Sequence, residues 1–294
     1  MININQNNEK QNLGQAQKVR SINLHINATC NYRCKFCFAR NLLHKTMGPR
    51  QWRPILKKLK ANGIEKINFA GGEPTLHKQF LKLCSLAKEL GFVVSVVSNG
   101  SKIDEEMIEK MKGIVDWIGL SVDSPSNDVE KELERQCDGV DHIANVVKVS
   151  EMTHKAGMKV KLNITVVRQS WNSDFTELIR KVAPERLKAF KVMKVEGQNE
   201  DTFDECSITQ EQWDFFRSTH EDIVLDNEEK MVFEGEGAMV DSYLMLDPIA
   251  RIMINTGNEQ NFRDFDELPA YLKMIEDKYE ARGALHNWGG KKDE

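Results

Sequence analysis

The sequence predicts an α/β protein, a parallel sheet wrapped by helices, on three observations. Strand and helix patterns alternate six times between Ser21 and Val195. The strand segments are short and rich in β-branched and apolar residues, as strands covered by helices must be. At 294 residues the chain can bury one full core, and α/β barrels commonly run this long as a single domain.

Residues 1–17 are polar and rich in Asn and Gln, with neither an apolar signal core nor a basic amphipathic face, and read as a disordered tail. Ser21–Asn27 alternates apolar and polar residues as a first strand. A helix around Gln51–Ala61 follows, with Pro54 expected in its first turn, where proline is tolerated. Lys66–Phe69 is a short second strand entering Gly71-Gly72-Glu73-Pro74, and Lys78–Leu90 has helical spacing. Phe92–Ser98 is the third strand. Asp104 is placed to cap a helix over Asp104–Lys112 that carries acidic residues in its first turn. Trp117–Ser121 is the fourth strand, and the helical pattern over Val129–Ala156 breaks near Gly139. The strand Lys159–Val167, the helix Asp174–Val182 and the strand Arg186–Val195 complete a core spanning residues 18–197. In residues 198–294 the alternation ends. Gln210–Ser218 and Glu267–Tyr279 read as helices around strand-like Val240–Leu246 and Ala250–Asn255, an α+β extension closing one end of the core. Gly289–Glu294 is expected to fray, and Trp288 beside it is a candidate docking residue.

Charged residues make up 29% of the chain and the net charge is −4, so no global basic field advertises nucleic acid. Apolar runs such as Phe92–Val97 are far too short to cross a bilayer. A cytoplasmic monomer is expected, with no nucleic-acid or membrane partner.

Three of the six cysteines, Cys30, Cys34 and Cys37, stand in a C-x3-C-x2-C run, while Cys84, Cys137 and Cys206 are scattered. Thiolates this dense hold a soft metal or form disulfides. Three cysteines leave an odd thiol in a chain that is neither small nor visibly secreted, which argues against disulfides. Structural zinc would need a fourth ligand, for which His25 or His44 is available. A 4Fe–4S cubane held by three cysteines leaves one iron open to a substrate or cofactor.

Residues two apart on a strand share a face. The polar sets are Asn23, His25 and Asn27 on the first strand, Lys66 and Asn68 on the second, Lys161, Asn163 and Thr165 with Lys159 on the fifth, and Arg186 and Lys188 on the sixth. The opposite faces are apolar and suit the helices. Every charged residue in the polar sets is a cation. Buried together they would need an anion, and a polyphosphate meets Lys66, Lys161, Arg186 and Lys188 at once. Solvated strand ends are the plain alternative for any one of them. A one-residue slip of register would reverse every face.

The cysteine spacing with Phe36 before the third cysteine resembles the radical S-adenosylmethionine (SAM) superfamily. Its fold would be a partial (βα)6 TIM barrel with a C-terminal α+β extension. By that resemblance Cys30, Cys34 and Cys37 hold the cluster, and Gly71, Gly72 and Glu73 position the SAM amino group. Ser98 and Asn99 would face the ribose, Ser121 would sit beside it, and Arg135 would pair the carboxylate. A solvated role for Arg135 remains open. Several longer motifs are similar to those of the viperin-like family: Cys-Asn-Tyr-Arg-Cys-Lys-Phe-Cys-Phe at Cys30–Phe38, Glu65–Phe69 ahead of GGEP, Val97–Ser101, and Asp241–Asp247. That family converts a ribonucleoside triphosphate, CTP in the animal protein, to its 3′-deoxy-3′,4′-didehydro product, and CTP, then UTP, is the substrate expected here. Removal of the C4′ hydrogen and loss of the 3′-hydroxyl as water yield a chain terminator suited to antiviral defence.

The resemblance places the triphosphate on Lys66, Asn68, Lys161, Asn163, Arg186 and Lys188, with Asn23 and His25 lining the same pocket. It makes Tyr243 a candidate relay for the closing electron or hydrogen, against a plain core role. A flavodoxin or ferredoxin would be the electron donor. The chain departs from the family pattern at Ala70, where a serine is usual, and around Glu134–Cys137, which lacks the family's glycines. It departs again in Met231–Val240, where the base would be read. A different radical SAM substrate, such as a peptide or another nucleotide, or a non-catalytic metal-binding module, is the alternative.

Overall fold

The computed structural model describes residues 19–136, 139–256 and 259–281. The expected terminal tails, Trp288 and Cys137 lie outside the described residues.

The first half follows the expected alternation: β1 (Ser21–His25), α1 (Pro49–Ala61), β2 (Lys66–Ala70), α2 (Phe80–Glu89), β3 (Val93–Ser98), α3 (Glu105–Met111) and β4 (Trp117–Ser121). It continues through α4 (Asn127–Glu132), α5 (His142–Lys155), β5 (Lys159–Val166), α6 (Thr176–Val182) and β6 (Arg186–Lys191). The long helical pattern is split on either side of Gly139, and Asp104 caps α3 by accepting from the Met107 N–H at 2.8 Å. Helix α1 starts two residues earlier than its spacing suggests, because Gln51 Oε1 accepts from the Gly48 N–H at 3.1 Å and Pro49 takes the first position. Pro54 therefore lies inside the helix, past the first turn, and removes one backbone hydrogen bond. Strand β6 stops at Lys191 rather than Val195. There the chain turns so that Asn199 donates to the carbonyls of Phe36 and Met193 and accepts from the Val195 N–H.

The later chain supplies α7 (Phe203–Cys206), α8 (Gln210–His220), β7 (Val232–Glu234), α9 (Glu236–Met239), β8 (Met245–Leu246), β9 (Ile252–Thr256), β10 (Glu259–Arg263) and α10 (Leu268–Ala281). The sheet order is β10-β9-β8-β1-β2-β3-β4-β5-β6-β7. Strands β7 and β8 pair in parallel with β6 and β1, so the extension lengthens both edges of the sheet. This partial α/β barrel matches the predicted class. Its outward core includes Ile22, Leu24, Ile67, Phe69, Val160, Leu162, Ile164, Leu187 and Ala189, all almost fully buried beneath the helices. Among the described residues no helix is long and apolar enough to cross a membrane.

Helix α10 braces the β1–β8 side of the sheet. Tyr271 and Tyr279 are fully buried. The Tyr279 hydroxyl lies 2.7 Å from Ser21 Oγ at the start of β1, and the Tyr271 hydroxyl donates to the Tyr243 carbonyl at 3.2 Å, just before β8. Tyr279→Ala is expected to lower stability by about 3–5 kcal/mol through the cavity it leaves, and Tyr279→Phe by about 1 kcal/mol through the lost hydrogen bond. Urea unfolding of the two variants checks the ratio.

Candidate active site

Strand register decides which side chains share the interior. β1 pairs with β2 so that Asn23 meets Asn68, and β4 pairs with β5 so that Gly119 meets Lys161 and Ser121 meets Asn163. β5 and β6 set Lys161 against Arg186 and Asn163 against Lys188. Parallel neighbours in register point the same way, so these residues line the face opposite the helix-packed core. Asn68 donates to Asn23 across two strands at 3.0 Å. Gly119 leaves space at the centre of this face, since a Cβ there would press the Val96 carbonyl at 3.2 Å and the Asn163 amide at 3.4 Å.

Lys66, Arg186 and Lys188 are buried. Burial, reinforced by Arg186 and Lys188, drops the Lys66 ammonium to about 7, and burial with Lys188 and Lys66 pushes Lys161 far down. Nearby cations depress one another because each disfavours a second charge in a low-dielectric space. Trp117 floors the pocket: the ammonium groups of Lys66 and Lys159 lie 5.0 and 5.1 Å from its ring centroid. The Glu234 carboxylate, 1% exposed, pairs with the Lys188 ammonium and accepts from the Tyr243 hydroxyl. Arg186 also reaches the half-exposed Glu229 at 3.6 Å.

At the carboxyl ends of the strands, the cysteine loop and the Gly71–Pro74 turn are pinned to each other. The Gly72 N–H donates to the Asn27 carbonyl at 2.9 Å, the Glu73 N–H to the Thr29 carbonyl at 2.8 Å, and the Asn27 amide to the Glu73 carbonyl at 2.9 Å. A Cβ on Gly71 would strike Asn27 and one on Gly72 would strike the Thr29 backbone, so the approach requires glycine. The Glu73 side chain is absorbed locally. It accepts from the Thr75 N–H and hydroxyl, from Ser98 Oγ at 2.9 Å and from the Asn99 N–H at 2.9 Å. Asn99 in turn donates to Asn31 in the cysteine loop at 3.0 Å. Three loops thus form one hydrogen-bonded unit.

Cys30, Cys34 and Cys37 are free thiols. Tyr32, Cys34, Phe36, Leu133, Val167 and Val192 make an apolar bed against which Cys30 and Cys37 also pack. Burial pushes the Cys34 thiol up to about 12 and raises Cys30. Thiols so placed stay protonated until a cation compensates the thiolate, which suits a metal cluster. Among the described residues, no three His, Cys, Asp or Glu side chains converge as ligands of one ion. His44, one of the two histidines available as a fourth zinc ligand, is exposed.

Two assigned residues sit differently from a plain sequence reading. Arg135 has an ion-pair partner, Asp123, and lies 5.1 Å from the Phe36 ring centroid beside the cluster loop. Ser121 is engaged through its carbonyl, which contacts His142 Nε2 at 3.0 Å. His25 is buried with its ring edge-on to Phe38, and burial lowers it to about 4, leaving a neutral imidazole in the pocket. Tyr243 is half-buried, and it packs with Cys37 against the same small apolar group of Ala28, Ala39, Leu42, Met245 and Met253. Sequence reasoning missed Trp117 and Glu234. The available signals were the position of Trp117 two residues before Gly119, and a lone acid closing Met231–Glu234.

Two outcomes follow from this geometry. Gly72→Ala should displace the cysteine loop and cut iron and sulfide retained per chain after anaerobic reconstitution, as colorimetric assay would read. Lys66 titrates near 7 folded and near its ordinary 10.5 unfolded. Between those values the unfolded chain binds the extra proton, so this group makes stability rise with pH from about 7 to 10. Lys66→Met should flatten that rise in thermal unfolding and stabilise the protein at pH 7.

The Radical SAM superfamily profile matches residues 24–182. An S-adenosylmethionine-dependent nucleotide dehydratase of Thermoplasmatales archaeon (strain ISO4-H5) is 45% identical over 275 residues, covering 92% of this chain and 97% of that relative. The S-adenosylmethionine-dependent nucleotide dehydratase RSAD2 of Danio rerio is 31% identical over 244 residues, covering 79% and 66%. The crystal structure of Streptococcus suis SuiB bound to S-adenosylmethionine superposes with a TM-score of 0.68 at 17% identity, covering 90% of this chain and 68% of SuiB, and shows the shared fold. The chain belongs to the radical SAM superfamily and, within it, to the S-adenosylmethionine-dependent nucleotide dehydratases, which work with a 4Fe–4S cluster and S-adenosylmethionine.

Proposed function

We propose that the chain converts a ribonucleoside triphosphate, CTP first and UTP next, into its 3′-deoxy-3′,4′-didehydro analogue. The supporting observation is a set of buried cations on the interior strand face, joined through Glu234 to Tyr243, which packs with Cys37 of the cysteine loop against one apolar group. Cys30, Cys34 and Cys37 would hold the cluster. The Gly71–Glu73 backbone, Ser98, Asn99, Ser121 and Arg135 would hold SAM, with the Glu73 carboxylate fixing the two loops that cradle it. Cluster and SAM together supply a hydrogen-abstracting radical when bound.

The chain's own work is placement. Lys66, Lys161, Arg186 and Lys188 grip the triphosphate, while Asn23, Asn68, Asn163 and His25 offer neutral hydrogen-bonding groups to it and to the sugar. Lys66 and Lys161, depressed by burial and then by their cationic neighbours, regain their protons as the phosphates arrive. The substrate loses its C4′ hydrogen atom and its 3′-hydroxide, which leaves as water with one proton. One electron then closes the 3′,4′ double bond, with Tyr243 at the seam as its relay. The product lacks a 3′-hydroxyl and would stop RNA synthesis, which fits an antiviral role. A flavodoxin or ferredoxin would supply electrons to a cytoplasmic monomer.

Reconstituted protein given SAM, dithionite and each ribonucleoside triphosphate in turn should release 5′-deoxyadenosine above background with one or two of them only. Equal release with all four would remove the nucleotide reading and favour another radical SAM substrate. Lys188→Ala should raise the nucleotide KM about tenfold to a hundredfold, the loss of one charged hydrogen bond or more, while background SAM cleavage continues. An unchanged KM would take Lys188 out of the substrate site.

A further inference from the structure

Glu234 has no role in the reading above, yet it is the carboxylate placed at the centre of the machinery. It ends β7, at one edge of the sheet, and faces the interior beside Lys188. Its second oxygen accepts from Tyr243, which precedes β8, the other end of the parallel series. One side chain thus joins the cation pocket to the tyrosine across the seam of the barrel. At 1% exposure it is shielded from water, and it also acts electrostatically on Lys161.

A buried anion among these cations has two consequences. It offsets cationic repulsion while the pocket holds no substrate, since unpaired buried charge costs several kcal/mol. It also repels any phosphate that comes to the same ammonium, because like charges in a low-dielectric space compete for one partner. We propose that Glu234 is an internal counterion exchanged for the substrate: an arriving polyphosphate takes Lys188 from it, while Tyr243 keeps its hydrogen bond to the carboxylate. Phosphate occupancy then changes the hydrogen bonding of Tyr243 without the nucleoside touching it. Glu234 is in this sense a positioning residue, acting through Lys188 and Tyr243. The inference rests on the polyphosphate reading of the pocket.

Calorimetric titration of the reconstituted holoenzyme with inorganic tripolyphosphate, without SAM, tests it. Glu234→Gln keeps the size of the side chain and an oxygen for Tyr243 but removes the competing charge. It should bind tripolyphosphate about tenfold more tightly than the unaltered protein. Native binding with equal or weaker binding by Glu234→Gln would make Glu234 a static brace and overturn the exchange, while leaving the pocket assignment standing. If neither protein bound tripolyphosphate, the polyphosphate reading itself would fall, and the exchange with it. Should Glu234→Gln not fold, Glu234→Asp serves: it withdraws the charge from Lys188 by one methylene and should bind more tightly than native by a smaller factor. Affinity equal to or below native would again overturn the exchange.

Discussion

Lys66, Lys161, Arg186 and Lys188 share one water-poor interior, and the cost of burying these charges beside one another is the constraint that the rest of the molecule accommodates. A sheet of parallel strands can place four cations within reach of each other only if its register is held, because a slip of one residue would turn them into the helix-covered core. The apolar faces hold that register: Ile22, Phe69, Leu162 and Leu187 would all have to enter the cationic space together. The hydrophobic layer outside therefore fixes the electrostatic layer inside.

The same constraint explains why loop architecture and pocket are built so unlike each other. Under the cysteines, nearly every polar group is satisfied within the chain: Glu73 accepts four hydrogen bonds, and Asn99, Asn31 and Asn27 close the loops. That unit is rigid without a ligand. In the lumen burial and neighbouring cations depress Lys66 and Lys161, and burial keeps His25 neutral, so the lysines there would gain charge as an anionic ligand binds. On the proposed reading, the cradle above would hold the reactive centre and the cations below would receive a substrate that supplies the missing charge.

Much of this was legible in the sequence, through two kinds of signal. Alternation over β1, β2, β5 and β6 was long enough to separate an apolar from a polar face, and the cysteine and GGEP spacings are local. Signals failed where structure is made by distant contacts. Strand β7 has three residues and β8 two, too short for any period to emerge, so the extension looked like a cap on one end when it lengthens both edges. Glu234 and Trp117 belong to no motif and gain meaning only from what the fold sets beside them. Arg135 was legible as a cation near the site, but the Asp123 that receives it lies on another loop.

The seam follows from the strand count. Counting along the sheet, β8-β1-β2-β3-β4-β5-β6-β7 is an unbroken parallel series in which the chain's last two parallel strands occupy opposite edges. A barrel closed by a backbone ladder there would be stiffer, but its final gap would admit no side chains. Here the described contact across the gap is a side-chain bond, Tyr243 to Glu234, buttressed by Tyr271 of α10 against the Tyr243 backbone. A side-chain bond can change partners at far smaller free-energy cost than a ladder, since no backbone group is left buried and unpaired. A ligand that engaged Lys188 would meet this seam, because Glu234 holds both Lys188 and Tyr243.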